Sequence, residues 1–292
     1  MNHASTTSRL ANYQQNVGAI QREENQLNGE QSAQDLSYVI SETGAVMQGA
    51  PLYFAGGMGA TMWAIDYQLY LMSQNIQRVS NTLRPIELHS FWFPDNSCIF
   101  TMRPVVQPAF SSAAFVADFI GTGDSAASKV AEVPLTDASG INSDYFSAYV
   151  AYGAQSNTPV RVAILNMRSW DNDYLFNPSN TARGSVNFTV VGNGGVLGGG
   201  GIGAASVRRL HADKGWSACG YDLGGEDNNV TWAGEQWTQL LDNGQGHFRN
   251  GAIEEEPLEL PSTGTVVVNI PDTEAVIVDL TWDWYAGPNQ GS

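Results

Sequence analysis

A glutamate, Glu42, closes the short run Ser37-Tyr38-Val39-Ile40-Ser41-Glu42-Thr43. The β-branched, alternating stretch before it reads as a buried strand, which puts a carboxylate at the strand's carboxyl end. In parallel α/β architectures that end carries the chemistry, because packed side chains fill the space below it. A carboxylate there suits nucleophilic or acid–base work on a polar bond. Asp66 and Glu87 are the other acidic groups of this region; Asp66 falls on a packing helix. The four histidines (His3, His89, His211, His247) lack HExxH or HxH grouping, and neither Cys98 nor Cys219 has a neighbour at CxxC spacing. That argues against a bound metal, and no motif asks for a cofactor. The two cysteines are free or joined in one disulfide. Two sequons, Asn187-Phe188-Thr189 and Asn229-Val230-Thr231, mark candidate glycosylation sites.

The elements that must hold Glu42 follow from spacing. Leu10, Tyr13, Val17 and Ile20 predict an amphipathic helix over residues 6–20, followed by a polar loop or frayed end to Ser37. A Gly-rich loop (Gly44 to Gly59) leads from Glu42 into a helix whose apolar positions run from Met58 to Val79. Strands or extended loops are expected over 76–82 and 86–93. A further helix from Pro108 to Ile120 stops at Gly121. Helix and strand alternate here, which implies parallel βα units. After about Gly140 the texture changes to short alternating strands at 145–152, 160–166, 185–191, 206–211, 265–270 and 275–282, the pattern of an antiparallel sandwich. The Gly-rich segment 192–204 lacks GK[ST] and reads as a flexible hairpin connection. The acidic run Ala252-Ile253-Glu254-Glu255-Glu256-Pro257-Leu258-Glu259-Leu260 reads as a solvated loop.

Composition sets limits. The 292 residues are 42% hydrophobic, enough for a packed core. With 29 acidic against 13 basic residues the net charge is −16, which argues against nucleic acid and anionic membrane surfaces as partners. No apolar run approaches the ~20 residues needed to cross a bilayer, and the first residues lack a secretory signal.

The segment "ISETGAVMQGAPLYFAGGMGATMWAIDYQLY", with "VRVAILNM", "SVRRLHA", "NNVTWAGEQW" and "IPDTEAVIVDL" in order after it, resembles glycoside hydrolase family 79, the heparanase and β-glucuronidase group. The resemblance implies the C-terminal part of a (β/α)8 barrel over 1–125 and a C-terminal antiparallel β-sandwich over 126–292. It implies that Glu42 is the nucleophile of a retaining glycosidase acting on a glucuronic-acid-containing glycan, in an extracellular parent protein without cofactor. His89 and Trp92 would then be substrate-binding residues. The family's acid/base glutamate follows an asparagine, and this chain has no Asn-Glu dipeptide. A truncated chain, inactive alone and with the inner face of the Met58–Val79 helix exposed, is the expectation. Two alternatives stay open: a non-catalytic carbohydrate-binding or structural β-sandwich, and a degenerate homologue acting as an interaction protein.

Overall fold

The computed structural model describes residues 2–28, 39–44, 51–76, 78–81, 91–93, 104–135, 143–192, 201–260 and 264–283. Helix α1 (His3–Asn28) leads to strand β1 (Val39–Thr43), then to helices α2 (Leu52–Ala55) and α3 (Met58–Ser73). Strands β2 (Arg78–Asn81), β3 (Trp92–Phe93) and β4 (Val105–Val106) precede helix α4 (Ala109–Ile120). Strands β5 (Ala127–Glu132), β6 (Phe146–Gly153), β7 (Pro159–Asn166), β8 (Ser185–Val191) and β9 (Gly201–His211) follow. Helix α5 (Tyr221–Gly224), strands β10 (Thr231–Trp232) and β11 (Glu235–Trp237), helix α6 (Gln239–Asp242), and strands β12 (Gly246–Phe248), β13 (Glu256–Leu258), β14 (Thr265–Pro271) and β15 (Glu274–Asp283) complete the order.

Nine strands form one antiparallel sheet in the order β12-β11-β10-β9-β15-β7-β6-β5, with β13 also paired to β9. Strand β15 is central, Ile277 facing Ala163 on β7 and Arg208 on β9. Its run Ala275-Val276-Ile277-Val278 is apolar at every position because both faces of the sheet are covered. Ala275 and Ile277 pack toward the helices, while Val276 and Val278 pack under the antiparallel β8–β14 ribbon. The ribbon itself alternates: Val266, Val268 and Ile270 are buried, while Val267 and Asn269 face out.

On the other face, α3 and α4 share one core with the sheet. Met58, Met62, Ile65 and Leu69 pack with Phe115 and Phe119 of α4 and with Tyr149, Leu165, Leu210 and Ile277. The expectation of a wet inner face on the Met58 helix is therefore corrected, since those four residues are fully buried. The helix is also shorter than its apolar spacing suggested. Gln74 caps it and Asn75 takes a left-handed φ of 62°, so Ile76 packs beyond the helix and Val79 lies on β2. Helix α1 is longer than expected and runs to Asn28 through the polar stretch. Helix α4 ends at Gly121, whose φ of 69° suits a residue without Cβ.

Two loop assignments change. Strands β8 and β9 lie in different sheets, so the two do not pair as a hairpin. The acidic run supplies β13, an edge strand in which Glu256 binds Arg209 (3.3 Å). An edge strand of solvated carboxylates looks like a loop in sequence because nothing apolar marks it.

Candidate active site

Strands β1 and β2 pair in parallel, the arrangement expected of βα units. Val39 faces Arg78, Ile40 faces Val79, and Thr43 faces Asn81. Three steps along β1 thus match two along β2, which places one extra residue in the Ser41–Glu42 stretch. A bulge of this kind re-aims a side chain and interrupts the ladder, and bulges concentrate beside active sites. Glu42 accordingly sits on an irregular step at the carboxyl end of a parallel pair. The chain then enters α2 and α3. The α3 N-terminus is held by backbone bonds from Met58 N–H to Ala218 O (2.8 Å) and Gly59 N–H to Trp216 O (2.9 Å). The antiparallel sheet's own loops therefore fix the connection that follows Glu42.

The other residues picked from the sequence fare differently. Trp92, 44% exposed, lies on the antiparallel β3–β4 ribbon opposite Val106. That ribbon is tied to α5 by Val106 N–H donating to Asp222 Oδ2 (2.9 Å). His89, Glu87 and Cys98 lie outside the described residues. Cys219 is a free thiol, and burial pushes its pKa up to about 11, which leaves it unreactive at neutral pH. Asn187 is exposed on β8, its Oδ1 accepting from Asn269 Nδ2 (2.7 Å). Asn229, two residues before β10, is only 5% exposed.

Asp66 is fully buried and fully engaged. It accepts from Thr6 Oγ1 (2.7 Å) and Tyr149 OH (2.7 Å), and His3 Nδ1 lies 3.0 Å from it. Burial raises its pKa, but the bonds and charge of His3, with Thr6 and Tyr149, outweigh burial and leave it below the usual carboxylate value. Burial likewise pushes the His3 pKa down, and Asp66 and Glu132 (2.9 Å from Nε2) override it and raise it. The Tyr149 phenol is pushed well up by burial and by Asp66. This cluster ties α1, α3, β5 and β6 together, and its carboxylate has no face open to a substrate. Sequence reading missed it because its members lie 63 and 83 positions apart.

The sequence also left unmarked an aromatic group, Tyr53, Phe54, Phe176 and Trp216, with ring centroids 4.7–6.1 Å apart. Runs rich in Tyr, Phe and Trp beside Gly and Asn were the available signal.

Residues 148–277 match the glycosyl hydrolase family 79 C-terminal beta domain, so the resemblance to that family stands. A beta-glucuronidase of Aspergillus niger is 27% identical over 290 residues, covering 96% of this chain and 47% of that protein. Among solved structures, a 4-O-alpha-L-rhamnosyl-beta-D-glucuronidase from Fusarium oxysporum 12S superposes with a TM-score of 0.67 at 18% identity, over 96% of this chain and 49% of that one. An alpha-L-arabinofuranosidase from Thermotoga maritima superposes with a TM-score of 0.51 at 10% identity, over 96% and 50%. The likeness to these two structures is one of fold. The chain spans about half the length of the relatives it matches.

Proposed function

We propose that the chain is the nucleophile-bearing part of a retaining β-glucuronidase that releases β-linked glucuronic acid from extracellular glycans. The observation that carries this is the bulge at Ser41–Glu42 on the carboxyl end of the parallel β1–β2 pair, in a chain similar along 96% of its length to a beta-glucuronidase. In such a reaction the Glu42 carboxylate attacks the anomeric carbon and forms a glycosyl ester, which water then opens. A second carboxyl, ~5–5.5 Å from the first, must protonate the leaving oxygen. Asp66 is excluded from that role by its burial and its three partners. Trp92 and His89 are assigned to the sugar site, and Asn187 to glycan attachment. The domain division in this proposal is a barrel part at 1–125 and a β domain at 126–292.

The test is chemical labelling with 2-deoxy-2-fluoro-β-glucuronosyl fluoride. Fluoride leaves without protonation, so the step needs the nucleophile alone. Peptide mass mapping is expected to find one glycosyl ester, on Glu42, and none in Glu42→Gln. An ester on another residue, or no ester at all, overturns the assignment.

A further inference from the structure

Tyr53 and Phe54 lie on α2, the first described element after β1, and Phe176 and Trp216 come from two loops of the β domain. The loops are clamped together by Trp216 N–H donating to Trp170 O (3.0 Å) and Asn172 N–H donating to Lys214 O (2.9 Å). Trp216 packs against Phe54 at 5.2 Å and 34°, and against Phe176 at 4.7 Å and 59°. The cluster is open on one side: Phe54 is 51% exposed, and Tyr174 and Leu175 on the same loop are 78% and 72% exposed. Leaving large rings half in water is unfavourable, and aromatic rings gain most from a flat apolar partner. The rim is polar. Lys214 Nζ pairs with Asp173 Oδ2 at 3.3 Å, both with accessible side chains, and Asn172 is exposed beside them.

We propose that this cluster is a stacking platform for the sugar rings of the leaving glycan, beyond the bond that Glu42 attacks. Pyranose rings present an apolar C–H face to the aromatics and a rim of hydroxyls to Lys214, Asp173 and Asn172, the mixture of flat apolar and sparse polar contacts that ligand sites use. The placement supports it. Thr43 and Leu52 are nine residues apart, so chain length holds the platform within about 30 Å of the strand end that carries Glu42. A second copy of the chain is a poorer occupant, because each copy carries a net charge of −16 and two would repel. The proposal rests on the glycosidase reading for the position of the scissile bond, and its binding test is separable from catalysis.

The test is calorimetric titration of Glu42→Gln, which cannot turn the ligand over. The probes are a xylotetraose capped with a β-glucuronosyl unit, and methyl β-glucuronide as a one-ring control. Adding Phe54→Ala is expected to weaken the capped tetraose about tenfold and leave methyl β-glucuronide unchanged, while Phe54→Tyr restores the tetraose. Equal affinity with and without the Phe54 ring overturns the platform, as does a tetraose that binds no more tightly than the control or does not bind. Self-association that sedimentation shows to depend on Phe54 also overturns it, in favour of a second copy. Phe54-dependent tetraose binding without fluoride labelling at Glu42 upholds the platform and removes the hydrolase reading. Labelling with unchanged binding does the reverse.

Discussion

The large antiparallel sheet and the β1–β2 pair are built to different standards. Strand β15 is hydrogen-bonded on both sides and buried on both faces, whereas β1 has one described partner and leaves Val39 46% exposed. Antiparallel strands close on their sequence neighbours, but a parallel pair needs a crossover helix and cover on both faces. Here the crossover helix α3 takes its cover from the sheet's core. The part that holds the candidate nucleophile thus leans on the antiparallel sheet.

The sharpest way to break that comparison is to hollow out the sheet. Ile277→Ala removes a fully buried side chain from the central strand and is expected to cost about 4 kcal/mol. Urea titration checks this, and the same change at half-buried Ile40 on β1 should cost clearly less. Next comes the joint between the regions. Asp66→Asn removes the charge that holds His3, Thr6 and Tyr149, with an expected loss of about 3 kcal/mol in the same assay. Gly121→Ala tests where α4 turns toward the sheet: at φ 69° a Cβ would meet Ser125 O at 2.7 Å and the Arg161 guanidinium at 2.8 Å. About 2 kcal/mol should be lost, read as a lower thermal midpoint.

A smaller, pH-dependent effect sharpens the joint. The raised His3 pKa means its contribution is complete below about pH 6.5 and is lost as the pH climbs through the raised value. The lowered Asp66 pKa means its contribution is present above about pH 4 and is lost as the pH falls through the lowered value. The stability gap between wild type and His3→Asn should therefore be widest near pH 5 and narrow as the pH climbs through the raised His3 value, read in thermal melts. The smallest change is expected at exposed Val39: Val39→Thr should change the unfolding free energy by less than about 0.5 kcal/mol in urea titration.

The sequence by itself determined the elements whose signal is local. The β-branched run ending at Glu42, the Gly121 stop and the alternation of Val266, Val268 and Ile270 each follow from side-chain period or backbone freedom within a few residues. The six strands read after Gly140 all exist, since turn residues punctuate them. Tertiary structure decided the rest. It ended α3 at Ser73, although the apolar spacing continued to Val79, because core packing rewards an apolar residue equally on a helix or on the strand beyond it. It turned an acidic stretch into edge strand β13, through a ladder that β9 supplies. It buried Asn229 and left Asn187 exposed, although their sequons read alike. It also assembled His3 with Asp66 and Phe54 with Trp216, pairs so far apart in the chain that no local spacing encodes them. A glutamate at a strand end was legible because strand and carboxylate are neighbours in sequence; the bulge it stands on depends on β2, and only the paired fold could set it.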